Sequence, residues 1–315
     1  MLHKSVLLHE VLRCLNLKRG ATVVDGTLGS GGHSVAILNA IGPTGRLIGL
    51  DQDPAALERS RERLKAFGNI SLHHENFANV DQVLGSLNIS KVDAVLLDIG
   101  FSSDQMEDAS RGFSLERDGP LDMRMNPELE ITARDLVHKL SEKELADIFW
   151  FYGEERMSRR FARAICDRRT THSLETTQDL FQTLETALPF KIKKTEHSRG
   201  YKSKIHPFTK VFQALRIAVN QELEVLRQGL PKIWNLLNPG GRFAVISFHS
   251  LEDRIVKHQF RAWVASGEGV AVTKKPITAS EEELAENSRS RSAKLRAIER
   301  AGAPAPGNSP QRRAA

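Results

Sequence analysis

ATVVDGTLGSGGHS, residues 21–34, is the stretch on which the fold turns. Four residues that suit a buried strand (Ala21 to Val24) end at Asp25, a glycine-rich turn follows (Gly26 to Gly32), and a helical pattern runs from about His33 to Ile41. Strand, glycine turn and helix in that order form the opening unit of a parallel α/β sheet. Arg46 to Asp51 reads as a second strand. Asp53 suits an N-cap and Pro54 a first helical position, which starts a helix reaching about Phe67. Ile70 to His74 is a third strand, Phe77 to Leu87 a third helix, and Val92 to Ile99 an apolar run of the kind found in a strand buried on both faces. GRFAVISF, residues 241–248, supplies a fifth strand, and Ser250 to Asp253 reads as a capping box opening a helix to about Val264. Val270 to Lys274 is a sixth strand.

About 140 residues separate the fourth strand from the fifth, and they carry apolar residues at helical spacings instead. Helices are expected over Thr132–Leu140, Glu142–Phe151, Glu155–Asp167, Thr177–Ala187 and Phe208–Leu230. The expected organisation is a Rossmann-like α/β core with a mostly parallel twisted sheet, made of residues 1–105 and 207–300. Residues 106–206 form a helical insertion between strands four and five, and residues 301–315, rich in Pro, Gly and Ala, form a disordered tail.

The chain has 315 residues, 40% apolar and 27% charged, which is the composition of a soluble globular protein and excludes fibrous or low-complexity classes. No apolar run is long enough for a membrane span, no leader is read, and no membrane partner is expected. Cys14 and Cys166 are too few for a disulfide framework, so a cytoplasmic location is expected. The net charge of +6 is unevenly placed: residues 154–216 hold +7 and residues 274–315 hold +4, against −5 elsewhere. Such clustering fits a phosphate-bearing partner and equally a solubilising surface.

Ligands of an open parallel sheet bind beyond the carboxyl ends of its strands. Three of those ends carry the same residue type, Asp25, Asp51 and Asp98, and the glycine turn has no lysine. A pyrophosphate would be repelled there, whereas S-adenosylmethionine, with its sulfonium, ammonium and ribose diol, suits three carboxylates. A dinucleotide fits less well, because Ser34 stands where the third small residue of the strict glycine pattern belongs. His73, His74, His197 and His206 lack metal-ligand spacing, and no metal is expected.

Further strings then matter: Val6-Leu-Leu-His-Glu10, Asp51-Gln-Asp-Pro54, Leu97-Asp-Ile-Gly-Phe-Ser-Ser103, Asp118-Gly-Pro-Leu-Asp-Met-Arg-Met125, Val245-Ile-Ser-Phe-His-Ser-Leu-Glu-Asp-Arg-Ile255 and Asn287-Ser-Arg-Ser-Arg-Ser-Ala-Lys-Leu-Arg296. With the glycine turn they make the chain, from His3 to Glu299, resemble the bacterial 16S ribosomal RNA methyltransferase H family. That resemblance implies S-adenosylmethionine as cofactor and methylation of N4 of a decoding-centre cytidine. It implies 16S rRNA or the small ribosomal subunit as partner and leaves the oligomeric state open, a homodimer included. It implies cofactor contacts at Gly31, Gly32, His33, Asp51, Phe77, Asp98 and Gln105. By residue type alone Phe77 reads as a core residue and Gln105 as a loop side chain. Phe101, Phe208 and Lys210 depart from the family pattern. Phe101 makes Asp98-Ile99-Gly100-Phe101 imitate the acid-x-x-aromatic loop of amino-group methyltransferases, and Lys210 replaces an arginine fork.

Acceptors at the end of the fourth strand are the candidates for orienting a target amine: the Asp98 carboxylate, the Gly100 carbonyl and the Ser102 and Ser103 hydroxyls. His249, at the end of the fifth strand, reads as facing the pocket or, more in keeping with its position, as a cap of the following helix. Lys210, Gln213, Arg216 and Asn220, spaced by three, three and four, fall on one helix face as an RNA-reading stripe or a solvated face. Arg289, Arg291, Lys294 and Arg296, interleaved with serines, read as a phosphate clamp or a flexible charged tail. The competing function is an inactive rRNA-binding assembly protein that keeps a relic cofactor pocket.

Overall fold

The computed structural model describes residues 4–100, 102–188 and 208–302. Its chain divides into two compact units, residues 1–100 with 226–315, and residues 101–225. The expected insertion, 106–206, therefore widens at both ends. The tail from 303 onward, residues 189–207 and Phe101 lie outside the described residues.

The first unit is built on a seven-stranded sheet: β1 (Thr22–Asp25), β2 (Arg46–Asp51), β3 (Ile70–His74), β4 (Val92–Asp98), β5 (Leu237–Ser247), β6 (Gly269–Ala271) and β7 (Lys294–Arg300). The order is β3-β2-β1-β4-β5-β7-β6, parallel from β3 through β5, with β7 antiparallel between β5 and β6. Alternation along each strand sends side chains to two separate cores. Val23, Leu47, Leu96, Ile246 and Leu295 face one, with Val11 and Ile37 from flanking helices. Val24, Ile48, Val95, Val245 and Ile298 face the other, with Leu230, Trp234 and Phe260.

β7 has no counterpart among the expected strands. Leu295, Ala297 and Ile298 are buried, so the segment read as a clamp or tail is partly a central strand. The expected helix over 208–230 is also interrupted. It stops at Asn220, Gln221 takes a left-handed φ of 50°, and a second helix covers Glu222–Leu236. The break falls where the chain changes units: Val211, Phe212, Leu215 and Val219 belong to the core of the second unit, and Leu226 and Leu230 to that of the first.

The second unit is helical, with helices at Ser103–Glu107, Ala133–Lys139, Glu142–Phe151, Ser158–Arg169, Thr177–Thr186 and Thr209–Asn220. Ser141, Thr132 and Thr176 each head a helix as half of a reciprocal capping box, which explains the sharp starts of those helices. Phe149, Phe161, Leu180 and Leu215 are among the fully buried residues at its centre. No helix among the described residues is long and apolar enough to cross a membrane.

Candidate functional site

The sheet changes winding direction at β1, which has β2 on one side and β4 on the other. Asp25 and Asp98 end these adjacent strands and Asp51 ends β2, so three carboxylates surround one crevice at the switch point. The glycine turn forms the crevice rim. Gly31 is the N-cap of the helix Gly32–Ile41 at φ 73°, a conformation unfavourable to a side-chain-bearing residue. Gly26 is needed for space: a Cβ there would lie 2.5 Å from Leu97 and 3.1 Å from the Phe77 side chain.

Two of the acids hold the turn in shape. Asp25 accepts from Ser34 Oγ at 2.7 Å and from the Thr27 amide at 3.3 Å. Asp51 accepts from the Gly29 amide and the Asp53 amide, both at 2.8 Å. Burial pushes each carboxyl up to about 6 despite these bonds, and at Asp51 the Asp53 and Asp25 carboxylates add to the rise.

Asp98 is different in kind. Its side chain keeps 23% of its surface open, yet Oδ1 is buried with no hydrogen-bond partner among the described residues. Oδ2 lies 3.6 Å from His33 Nδ1. Burial first, then the Asp25 and Glu252 carboxylates, push its carboxyl up to about 8. His33 is nearly buried, with Nε2 3.0 Å from the Val6 carbonyl. A carbonyl only accepts, so Nε2 carries a proton and, in the neutral ring, Nδ1 turns a lone pair toward Asp98. The Asp98 amide donates to Thr27 Oγ1 at 2.5 Å, fixing the end of β4 to the glycine turn.

The structure thus brings Gly31, Gly32, His33, Asp51 and Asp98 to one crevice. Phe77 packs partly on the core, as its residue type suggests: its ring fits against Gly229, where a Cβ would come within 2.7 Å, and its Cβ faces Gly26 of the turn. Gln105 belongs to the second unit, where it is buried and its Oε1 accepts the Ser102 amide. Ser102 in turn caps the helix Ser103–Glu107 by accepting the Gln105 amide at 3.2 Å. The two residues thus form a capping box, a role sequence reading missed although Ser-x-x-Gln is its signature. The side chain of Ser103 lies outside the described residues. His249 is the N-cap of the helix Ser250–Ala265, paired with Glu252, so the capping box begins one residue before the expected Ser250.

The RNA-reading stripe requires correction. Arg216 is 9% exposed and grips Glu222 through two bonds of 2.8 and 2.9 Å. Asn220 is buried, donating to the Met123 and Arg216 carbonyls and accepting the Met125 amide. Lys210 and Gln213 donate to the Glu154 and Tyr152 carbonyls. Arg216 and Asn220 spend their polarity inside the second unit, because this helix is packed on more than one side, whereas Gln213 is half-buried and Lys210 stays exposed. The clamp also divides. Arg296 pairs with Asp253 at 2.7 and 3.2 Å and Lys294 approaches it at 3.7 Å, while Arg289 and Arg291 are exposed on a short 3₁₀ turn.

A hollow of about 480 Å³ opens at the opposite end of the strands, between residues 15–21, Asp93 and residues 239–242. It has none of the three crevice acids.

The sheet order, the glycine turn and the three strand-end acids define an α/β protein of the Rossmann-like methyltransferase class. Residues 1–301 match the MraW methylase family, and the chain belongs to it. Among relatives called ribosomal RNA small subunit methyltransferase H, that of Syntrophotalea carbinolica is 49% identical over 314 residues, 95% of this chain and 98% of that one. That of Koribacter versatilis is 47% identical over 306 residues, covering 95% and 94%. That of Clostridium botulinum strain Loch Maree is 45% identical over 309 residues, covering 93% and 97%.

Proposed function

We propose that this protein transfers the methyl group of S-adenosylmethionine to the exocyclic N4 amine of a decoding-centre cytidine in 16S rRNA. The observation that carries the reading is Asp98, an acceptor at the switch-point crevice whose buried Oδ1 has no partner among the described residues. A buried oxygen without a donor raises the carboxyl's affinity for protons, and the 23% of the side chain that stays open is what a ligand can meet. The names of the relatives support small-subunit rRNA as substrate, and the family resemblance supports the cytidine amine.

The residues of the crevice fit the cofactor. The Gly31-Gly32-His33 turn opens the helix Gly32–Ile41, whose N-terminal end suits a carboxylate, and Asp51 has lone pairs left for ribose hydroxyls beyond its two amide bonds. Phe77 offers an apolar edge to an adenine. When bound, S-adenosylmethionine supplies an electrophilic methyl and a positive charge. That charge favours the ionised form of Asp98, a carboxyl otherwise protonated near neutrality.

A cytosine amine is a weak nucleophile because its lone pair is delocalised into the ring. The protein's task is orientation: acceptors hold the amine hydrogens so that the lone pair points at the methyl. Ionised Asp98 is the first such acceptor, with the Gly100 carbonyl and the Ser102 and Ser103 hydroxyls beside it in sequence. Once the nitrogen is alkylated it sheds a proton, and Asp98, with its raised affinity for protons, receives it on the open part of its carboxylate.

The test is transfer of a labelled methyl from S-adenosylmethionine to free 16S rRNA, an assembly intermediate and the finished small subunit, followed by nucleoside analysis. N4-methylcytidine from at least one substrate is expected. RNA binding with no transfer to any of the three would favour the relic assembly protein and overturn the proposal.

A further inference from the structure

Trp150 and Phe151, adjacent in sequence, are 52% and 62% exposed. They end the helix Glu142–Phe151, whose opposite face buries Leu145, Ala146 and Phe149. Lys143 and Asp147, a salt-bridged pair at 2.7 Å, precede them on the outward side at spacings of four, three and four. The exposure does not come from a frayed end. Beyond the helix, Lys210 Nζ donates to the Glu154 carbonyl at 3.0 Å and Gln213 Nε2 to the Tyr152 carbonyl at 3.1 Å. Gly153 sits so close to the neighbouring helix that a Cβ would lie 2.6 Å from the Lys210 carbonyl. Two aromatic rings are therefore displayed on an anchored turn, and leaving them in water is costly unless something covers them.

The next helix, Ser158–Arg169, packs antiparallel on the first, its register marked by Arg163 Nε at 3.4 Å from Glu142 Oε1. Its start therefore lies beside the aromatic end. Arg156, Arg159 and Arg160 are exposed there, and residues 156–169 hold six arginines against one acid. Arg159, Arg160 and Arg163 lie in the first turns of that helix, with Arg159 and Arg163 on one face at a spacing of four, and Arg156 lies in the turn just before it.

We propose that Trp150 and Phe151 are a stacking platform for unpaired nucleotides of the RNA substrate, with Arg156, Arg159 and Arg160 holding the adjoining phosphates. This rests on the rRNA reading above and places the platform within the second unit. Charge decides the occupant: aromatic faces accept any unstacked base, and a cluster of cations with few acids complements phosphates. A duplex keeps its bases stacked and offers the rings no partner.

The chain has three tryptophans, and the other two, Trp234 and Trp263, are buried and stacked on each other at 4.3 Å. Quenching of the exposed indole therefore reports on Trp150. The full chain is titrated with a short single-stranded oligocytidylate and with duplex RNA of equal length. The single strand should quench Trp150 fluorescence and the duplex should not. With fluorescently labelled oligocytidylate, Trp150→Ala or Phe151→Ala should weaken binding roughly tenfold, while Trp150→Phe, which keeps a ring, retains most of the affinity. Neutralising Arg156, Arg159 and Arg160 together should flatten the log-log salt dependence by roughly 0.7 for each phosphate released. Unchanged RNA affinity in folded Trp150→Ala and Phe151→Ala variants would overturn the platform, as would a change of oligomeric state in place of RNA affinity. Failure of the wild-type chain to methylate rRNA would instead overturn the function on which the platform rests.

Discussion

Lowering the pH from about 8, where Asp98 is half ionised, to about 6 should weaken S-adenosylmethionine binding by roughly fiftyfold, and replacing Asp98 should abolish most of that dependence. The carboxyl sits at about 8 because of burial and the nearby Asp25 and Glu252 carboxylates. Its neutral form gains nothing from a cationic ligand, so binding draws on the ionised fraction alone. Two pH units below the midpoint that fraction is about one in a hundred, and each unit corresponds to about 1.4 kcal/mol. Affinity should thus rise tenfold per unit up to about pH 8 and then level, with one proton released on binding near neutrality. Titration calorimetry in buffers of different ionisation enthalpy measures both quantities. In Asp98→Asn the affinity should be low and nearly flat above pH 7, any residual slope below that reflecting Asp25 and Asp51 at about 6. The ligand-free protein should show the opposite trend. A carboxyl raised from 3.8 favours the folded state at low pH, and this contribution is lost as the pH rises through about 8, so the Tm should fall over that window and fall less in Asp98→Asn. Flat wild-type affinity between pH 6 and 8, with the fold intact by circular dichroism, would refute the electrostatic reasoning.

Arg216→Ala should destabilise the protein by about 3–5 kcal/mol, because it leaves Glu222 as an unpaired charge in a buried site. Denaturant unfolding gives the number, and an unaltered salt dependence of RNA binding in the same variant checks that Arg216 faces inward. Arg289→Ala combined with Arg291→Ala should leave stability within about 0.5 kcal/mol, since both side chains are exposed. If these arginines bind phosphates, removing each one should flatten the log-log salt slope of RNA binding by roughly 0.7 to 0.9, with S-adenosylmethionine affinity at the wild-type value. An unchanged slope would remove this turn from the RNA surface.

The α/β core was legible because its signals are local. Apolar runs, the glycine turn and Asp53-Pro54 place β1 to β5 and their helices within a few residues, and Asp53 does accept the Ala55 amide as its position suggests. β7 was missed although Lys294-Leu295-Arg296-Ala297 alternates charged and apolar residues as a strand does, because the arginines around it suggest a tail. Only pairing with β5 on one side and β6 on the other makes it a strand. The site divides along the same line. Strand-end acids follow from strand ends, so Asp25, Asp51 and Asp98 could be read in advance. The inward turn of Arg216 and Asn220 depends on Glu222, Met123 and Met125, tertiary partners that helical periodicity does not specify. For Arg216 and Asn220 the error lay in taking a polar face for a wet one, while Lys210 on the same helix is exposed. The bonds of Arg296 to Asp253 teach the same lesson about a basic cluster.

Crowding three carboxylates at one switch point is costly, and the structure shows how the cost is distributed. Asp25 and Asp51 each have donors from the glycine turn and neighbouring residues, so their charge is partly compensated by groups that also set the shape of the turn. Asp98 has His33 Nδ1 at 3.6 Å from Oδ2 and an Oδ1 with no hydrogen-bond partner among the described residues. The repulsion is therefore concentrated on Asp98, where a proton relieves it in the ligand-free state and, on the proposed function, a bound cation would relieve it in the complex. Exchange of proton for cation ties occupancy of the crevice to the charge state of Asp98. An amine entering before the cofactor would meet a neutral carboxyl, whose oxygens are weaker acceptors, so productive RNA orientation should follow cofactor binding.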